Sequence, residues 1–294
     1  MKRKENMKHA VLKRKEPLIS VIMCVYNPED KAQLMSAVRS IIQQKYSHWE
    51  LLLYNDGSDP EYLAQIQRAV SLDERIRYIE GKENHGLAYG LNVCLAQVRG
   101  KYVARMDGDD ISAPLRFQKM CEFLETHPEY QWVGCNTALI NENGRWGDRK
   151  MPRIPKAEDF LKYSPYVHPA VIFRKEVLLA CRGYKISRRG EDYELFMRLH
   201  SKGYQGYNLQ EELFFYREDQ NTYHHRKYQY QIEEVGIRFR GFRSLKILHL
   251  STFFYVIKPL LTGLLPYSIL NRLKMKLRKE MHVERYEGRQ TQQI

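Results

Sequence analysis

Apolar positions recur in a regular pattern over the first 110 residues. Leu18–Val25 is an apolar run suited to a central strand buried on both faces. Asn27-Pro28-Glu29-Asp30 then predicts a helix start: Asn27 can cap, Pro28 fits the first helical position, and two acids follow at the positive end of the dipole. Leu34, Val38, Ile41 and Ile42 continue at helical spacing. Trp49–Tyr54 reads as a second strand, ending in the turn Asn55-Asp56-Gly57-Ser58-Asp59-Pro60 that opens a second helix with Leu63, Ile66 and Val70 inward. Ile76–Ile79 is a short third strand, and Leu87, Leu91, Cys94, Leu95 and Val98 mark a third helix. Tyr102–Met106 is a fourth strand running straight into Asp107-Gly108-Asp109-Asp110.

This β-α alternation predicts an α/β fold with a doubly wound, mostly parallel sheet. Ligands of such sheets bind beyond the carboxyl ends of the strands, at a topological switch point. Asn27, Asp56 and Asp107 each follow a strand end, so one nucleotide-sized ligand could meet all three. The second half is mixed. Trp132–Ile140, Ala170–Phe173, Tyr204–Leu209 and Leu213–Tyr216 predict strands; Glu176–Cys181 and Asp192–His200 predict helices.

The chemistry concentrates where strands end. Three carboxylates within Asp107-Gly108-Asp109-Asp110 repel one another unless a cation is present. A hard divalent ion such as Mg²⁺ or Mn²⁺ prefers such oxygen ligands and often shares them with a diphosphate. The alternative is a solvated acidic turn. Glu191-Asp192 opens a helix, so a carboxylate there is either a cap or a general base; the residues alone leave both readings open. In Asn84-His85-Gly86, Asn84 and Gly86 would let the backbone approach a phosphate or sugar. His168 reads as structural, and Tyr223-His224-His225 as an exposed loop or a diphosphate contact.

Charge narrows the classes. The 294 residues carry 48 Lys and Arg against 35 Asp and Glu, a net +13. Residues 1–16 balance to +5 and residues 226–294 to +9, which leaves −1 for residues 17–225. A nearly neutral body argues against a nucleic-acid footprint. A hydrophobic share of 43% excludes a mostly disordered chain. The five cysteines form no Cys-x-x-Cys pair, which argues against a disulfide framework or zinc site. The start does not read as a signal peptide, because many charges precede the first apolar run. In the apolar stretch 245–270, Lys246, Lys258, Pro259 and Pro266 interrupt, and Arg272, Lys274, Lys276, Arg278 and Lys279 follow. Its charge-free runs are too short to span a bilayer as helix. The segment suits the membrane interface, or else a helical hairpin packed on the body.

The ordered set Ile19–Asn27, Asn55-Asp56-Gly57-Ser58, Asn84-His85-Gly86-Leu87-Ala88, Asp107-Gly108-Asp109-Asp110 and Glu191-Asp192-Tyr193-Glu194 resembles glycosyltransferase family 2 on a GT-A fold, over roughly residues 17–217. The stretches Asp110–Arg116 and Phe215-Tyr216-Arg217 are similar to bacterial members that build O-antigen or capsular polysaccharide. The resemblance implies inverting transfer of a hexose from a UDP-sugar. It places Tyr26 and Asp56 around the base, Asn84 and Gly86 at the donor, Asp107 at the ribose or sugar, Asp109 on the Mn²⁺ or Mg²⁺, and Asp192 as the base. Many members carry Arg where Leu91 stands, which leaves the cation at the pyrophosphate unassigned.

Four segments are expected: a basic tail (1–16), a nucleotide-sugar-binding half (17–110), an acceptor-binding and catalytic half (111–225), and a basic, apolar helical extension that associates with membrane (226–294). A polyprenyl-diphosphate-linked saccharide, such as N-acetylglucosamine on undecaprenyl diphosphate, is the expected acceptor. The expected location is peripheral, on the cytoplasmic face of the bacterial inner membrane. Two other classes compete. A sugar nucleotidyltransferase should carry a Gly-rich, basic loop after the first strand, where Tyr26-Asn27-Pro28-Glu29-Asp30 stands instead. A non-catalytic, basic membrane- or nucleic-acid-binding protein has no need of the intact Asp107, Asp109 and Asp192.

Overall fold

A computed structural model describes residues 16–218 and 228–263. Four parallel strands form one half of the sheet: β1 (Ile19–Val25), β2 (Trp49–Asp56), β3 (Ile76–Gly81) and β4 (Tyr102–Arg105), in the order β3-β2-β1-β4. Helices α1 (Lys31–Ile42), α2 (Pro60–Val70) and α3 (Leu87–Leu95) connect them. The strand order reverses at β1, which has β2 on one side and β4 on the other.

The sheet continues through β8 (Ile172–Arg174), β6 (Trp132–Asn141), β9 (Gly206–Arg217) and β5 (Ile111–Ser112), with β7 (Gly144–Arg149) beside β6. β8 runs antiparallel to β4 and β6, and β9 runs parallel to β6. The remaining described helices are α4 (Arg116–Thr126), α5 (Lys175–Ala180), α6 (Glu191–Ser201), α7 (Tyr228–Ser244) and α8 (Phe253–Gly263).

Two cores lie on the two faces of the sheet, which is why the central strands are apolar throughout rather than alternating. On one face Val21, Met23, Leu51 and Leu53 meet Leu34, Val38 and Ile41 of α1, Ile66 of α2 and Phe117 and Met120 of α4. On the other, Ile22, Leu52 and Val103 meet Leu91 and Cys94 of α3, Leu195 and Phe196 of α6, and Ile237 and Phe242 of α7. All five cysteines are free.

The amino ends of the strands are tied by a buried acid. The Ser20 hydroxyl and the Arg99 N–H both donate to Glu50 Oε1 (2.6 and 2.9 Å), Arg77 Nη1 donates to Oε2 (3.1 Å), and the Gly100 N–H donates to Ser20 Oγ (2.8 Å).

Several expectations change. Asn27 does not cap α1: the helix begins at Lys31, and Asp30 Oδ1 accepts the Ala32 and Gln33 N–H groups (2.8 and 3.3 Å). Asn27 sits at φ +41° and exchanges side-chain bonds with Asp59 instead. The two strands expected over 204–216 are one strand, β9, kept continuous by a register shift against Cys135–Thr137. α4, β5 and β7 had no counterpart in the apolar pattern. Of the two readings of the C-terminal stretch, the described part packs on the body. Ile237, Phe242, Ile247 and Val256 join the core beneath α6. No helix among the described residues is long and apolar enough to cross a membrane. Tyr223-His224-His225, residues 1–15 and the cluster Arg272–Lys279 lie outside the described residues.

Candidate active site

The carboxyl ends of β1, β2 and β4 converge, and each is held by its own polar bonds. Asn27 Nδ2 donates to Asp59 Oδ2 (2.7 Å), the Asp59 N–H returns to Asn27 Oδ1 (2.8 Å), and the Asn27 N–H donates to Ser58 Oγ (2.9 Å). These bonds lock the β1 exit to the β2 exit. Tyr26, beside them, is 49% exposed. Asp56 is buried, and its two oxygens accept the N–H groups of His85 (3.0 Å) and Gly86 (2.8 Å). Its carboxylate therefore shapes the Asn84–Gly86 turn from beneath. Gly86 adopts φ +88° with open space where a Cβ would stand, and Asn84 is exposed. Gly57 has φ +68°, and a Cβ there would come within 2.5 Å of the Glu83 carbonyl carbon.

At the end of β4, one carboxylate oxygen from each of Asp107, Asp109 and Asp110 falls within 4.8 Å of the others. Asp110 is buried; its Oδ1 accepts the Arg217 N–H (2.6 Å) and its Oδ2 has no partner among the described residues. Arg217 Nε also donates to the Asp109 carbonyl (2.9 Å), so the end of β9 braces the acidic turn. Lost hydration and the Asp107 charge push Asp109 up to about 6. Burial and the same neighbours raise Asp110 well above the carboxylate range. Three crowded carboxylates, one of them with an unpartnered buried oxygen, fit a hard divalent cation.

Two buried arginines lie beneath this turn. Arg105, 1% exposed, makes an ion pair with Asp107. Arg116 lies within the fold, where Nη2 donates to the carbonyls of Arg105 (2.8 Å) and Pro169 (3.1 Å). It thereby fixes the end of β4 to the segment before β8. Burial lowers Arg116 to about 10.

Arg105 also bears electrostatically on the second acid group. Its charge acts on Glu191 and Asp192 as well as on Asp107, Asp109 and Asp110. Glu191 and Asp192 occupy the first turn of α6, whose cap is Gly190 at φ +78° with no side-chain cap bond. Neither acid serves as the cap residue. Burial and the Asp192 charge raise Glu191 to about 7. Burial raises Asp192 too, opposed by first-turn N–H groups and by Arg105.

His168 is structural. It is buried, its Nε2 lies 2.9 Å from the Tyr184 hydroxyl, and burial drops it well below the imidazole range. Asn92 pins the same segment: its Nδ2 donates to the Tyr184 carbonyl (2.8 Å) and its Oδ1 accepts the Tyr184 N–H (2.9 Å). Leu91 is fully buried. The sequence reading thus missed Arg105, Arg116 and Asn92. The one available signal for Arg105 was a cation inside the apolar run Tyr102–Met106.

The family model "Glycosyl transferase family 2" matches residues 20–190. EpsE of Bacillus subtilis (strain 168), named as a glycosyltransferase, is 38% identical over 264 residues, covering 88% of this chain and 94% of that protein. The Escherichia coli UDP-Gal:alpha-D-GlcNAc-diphosphoundecaprenol beta-1,3-galactosyltransferase is 27% identical over 263 residues, covering 86% and 93%. Among solved structures, the mannosyltransferase PcManGT of Pyrobaculum calidifontis, in complex with GDP-Man and Mn²⁺, superposes with a TM-score of 0.61 at 15% identity, covering 90% of this chain and 81% of that one. The fold is the GT-A arrangement of such enzymes. By its motifs, its sheet and these relatives, the chain belongs to glycosyltransferase family 2.

Proposed function

We propose that this glycosyltransferase moves a hexose from a UDP-sugar, with inversion, to a saccharide on a polyprenyl diphosphate during assembly of a bacterial surface polysaccharide. The reaction would take place at the cytoplasmic face of the inner membrane. The observation that carries the reading is the clustering of Asp107, Asp109 and Asp110 at the end of β4, with a second pair of acids, Glu191 and Asp192, in the first turn of α6. A single inverting displacement needs one group for the leaving diphosphate and another for the incoming alcohol.

Asp109, with Asp107 and Asp110, would hold Mn²⁺ or Mg²⁺. When bound, the ion supplies Lewis-acid charge to the UDP leaving group. The chain does the remaining work. Arg105 holds the Asp107 carboxylate at the cleft, where it can meet the ribose or the sugar. Tyr26 offers an exposed aromatic face to the base. Asp56 fixes the turn through which Asn84 and Gly86 present backbone to the donor. Asp192 accepts the proton of the acceptor hydroxyl on a carboxylate oxygen, an effect worth about 10²–10⁴-fold. Its place in the first turn of α6 keeps the anion accessible despite burial.

The acceptor class is supported by the E. coli relative, whose name specifies a GlcNAc-diphosphoundecaprenol acceptor. The test is a donor screen. UDP-glucose, UDP-galactose and their N-acetyl forms are offered with a lipid-diphosphate N-acetylglucosamine acceptor, with and without Mn²⁺. The expected outcome is transfer of one sugar with inverted anomeric configuration. Retention of configuration, or no transfer from any nucleotide-sugar, overturns the reading.

A further inference from the structure

The hairpin of α7 and α8 has a surface that the transfer chemistry does not use. Its inner side is core: Ile237, Phe242, Ile247 and Val256 are buried. Its outer side is different at the tip, where the last turn of α7, the connection and the first turn of α8 adjoin. Arg243 and Lys246 are exposed there, while Arg240, one turn earlier, lays its guanidinium back beside Gly236. Beside them in the chain stand Leu250, Phe253 and Phe254, exposed by 95%, 43% and 55%. Residues 235–263 contain five Lys and Arg and no acid. Of the five, Arg238 turns inward to Glu234 at 2.8 Å.

We propose that this hairpin tip is the docking surface for an anionic lipid bilayer. Three large apolar side chains would enter the headgroup boundary while Arg243 and Lys246 meet the lipid phosphates. Charge complementarity selects the occupant: the cations need a partner rich in negative charge, and the apolar side chains need one that is also apolar. The proposal rests on the lipid-linked acceptor proposed above and adds the face that meets the lipid.

The tip belongs to an element seated on the catalytic helix. A Cβ at Gly190, the cap of α6, would lie 3.3 Å from Ile237 Cδ1, and Arg188 Nη1 donates to Gln229 Oε1 at 3.3 Å. Docking would therefore seat on the membrane an element that also packs against the start of α6.

The experiment uses the full chain with Phe254→Trp and vesicles of phosphatidylglycerol and phosphatidylethanolamine, against phosphatidylcholine alone. Expected are a blue shift and quenching by brominated lipid in the anionic vesicles, beyond that of the parent protein. A tryptophan at 254 that is shielded before vesicles are added, and stays unquenched, means that another part of the chain or a second copy covers the face; that overturns the proposal. Arg243→Gln/Lys246→Gln should lower vesicle affinity about 25-fold, at roughly fivefold per cation. Unchanged affinity would assign docking elsewhere and overturn it as well. Transfer to a water-soluble acceptor should survive in these variants. Vesicle docking without any sugar transfer would sink the transferase reading while supporting this surface.

Discussion

Arg105 and Asp107 form an ion pair in which the guanidinium is 1% exposed and the carboxylate faces the cleft. The arginine Nε has no hydrogen-bond partner among the described residues. Its charge favours the ionised form of acids on two elements, the turn after β4 and the first turn of α6. A buried cation so placed makes it less costly to keep five carboxylates in one cleft.

Arg105→Gln should therefore destabilise the protein by about 3 kcal/mol, the typical cost of leaving a buried charge pair half-made. Added Mn²⁺ should restore part of the loss, because it supplies positive charge to the same acids. Thermal melting of wild type and variant, with and without Mn²⁺, checks this. A variant that melts like wild type would show that Arg105 compensates nothing.

Asp192→Asn should keep UDP affinity while turnover falls by about 10²–10⁴-fold. In the wild type, burial raises the Asp192 pKa above the ordinary 3.8. A base must be ionised, so turnover should fall as pH drops through that raised value. The pH profile of kcat measures the limb; a profile flat to pH 4 would remove Asp192 from the role.

Asp109→Ala should abolish Mn²⁺-dependent UDP binding, and EDTA should abolish transfer by the wild type. Calorimetry of UDP binding with and without Mn²⁺ decides it. Equal UDP affinity in variant and wild type would place the cation on other ligands.

Glu50 should make the fold acid-sensitive. Burial alone would raise its pKa, but bonds from Ser20, Arg99 and Arg77 override this and lower it from 4.5. A lowered folded-state value adds stability that is fully present above the unfolded pKa, near 4.5, and fades as pH falls through the folded value. Urea midpoints of wild type and Glu50→Gln between pH 7 and pH 3 should converge toward the acid end.

Gly57→Ala should weaken donor binding. At φ +68° the methyl group costs about 1–2 kcal/mol in backbone strain, and it would also push on the loop that carries Asn84 and Gly86. A UDP titration and a melting curve read both effects. Unaltered UDP affinity would show that this loop does not touch the donor.

The central strands were legible because β1, β2 and β4 are buried on both faces and end in conspicuous polar turns. What depended on distant partners was not. Asn27 looks like a cap locally, yet its amide is taken up by Asp59, 32 residues away. Gln210-Glu211-Glu212 looks like a break between strands; in the fold Glu211 pairs with Lys119 and Glu212 with Arg145, and the strand runs on. The acidic turn and Glu191-Asp192 could be named from the sequence. The burial of Arg105 and Arg116 was not legible, since a lone arginine ordinarily marks a surface: one showed only as a cation within an apolar run, the other only as the end of the stretch Asp110–Arg116.

The knot of Ser20, Glu50, Arg77, Arg99 and Gly100 ties the strands at the end remote from the cleft, and none of its bonds uses a loop of that cleft. Drift in the loops of that cleft can proceed without unpicking the frame. A descendant of this chain could change its sugar or its acceptor while inheriting the same scaffold.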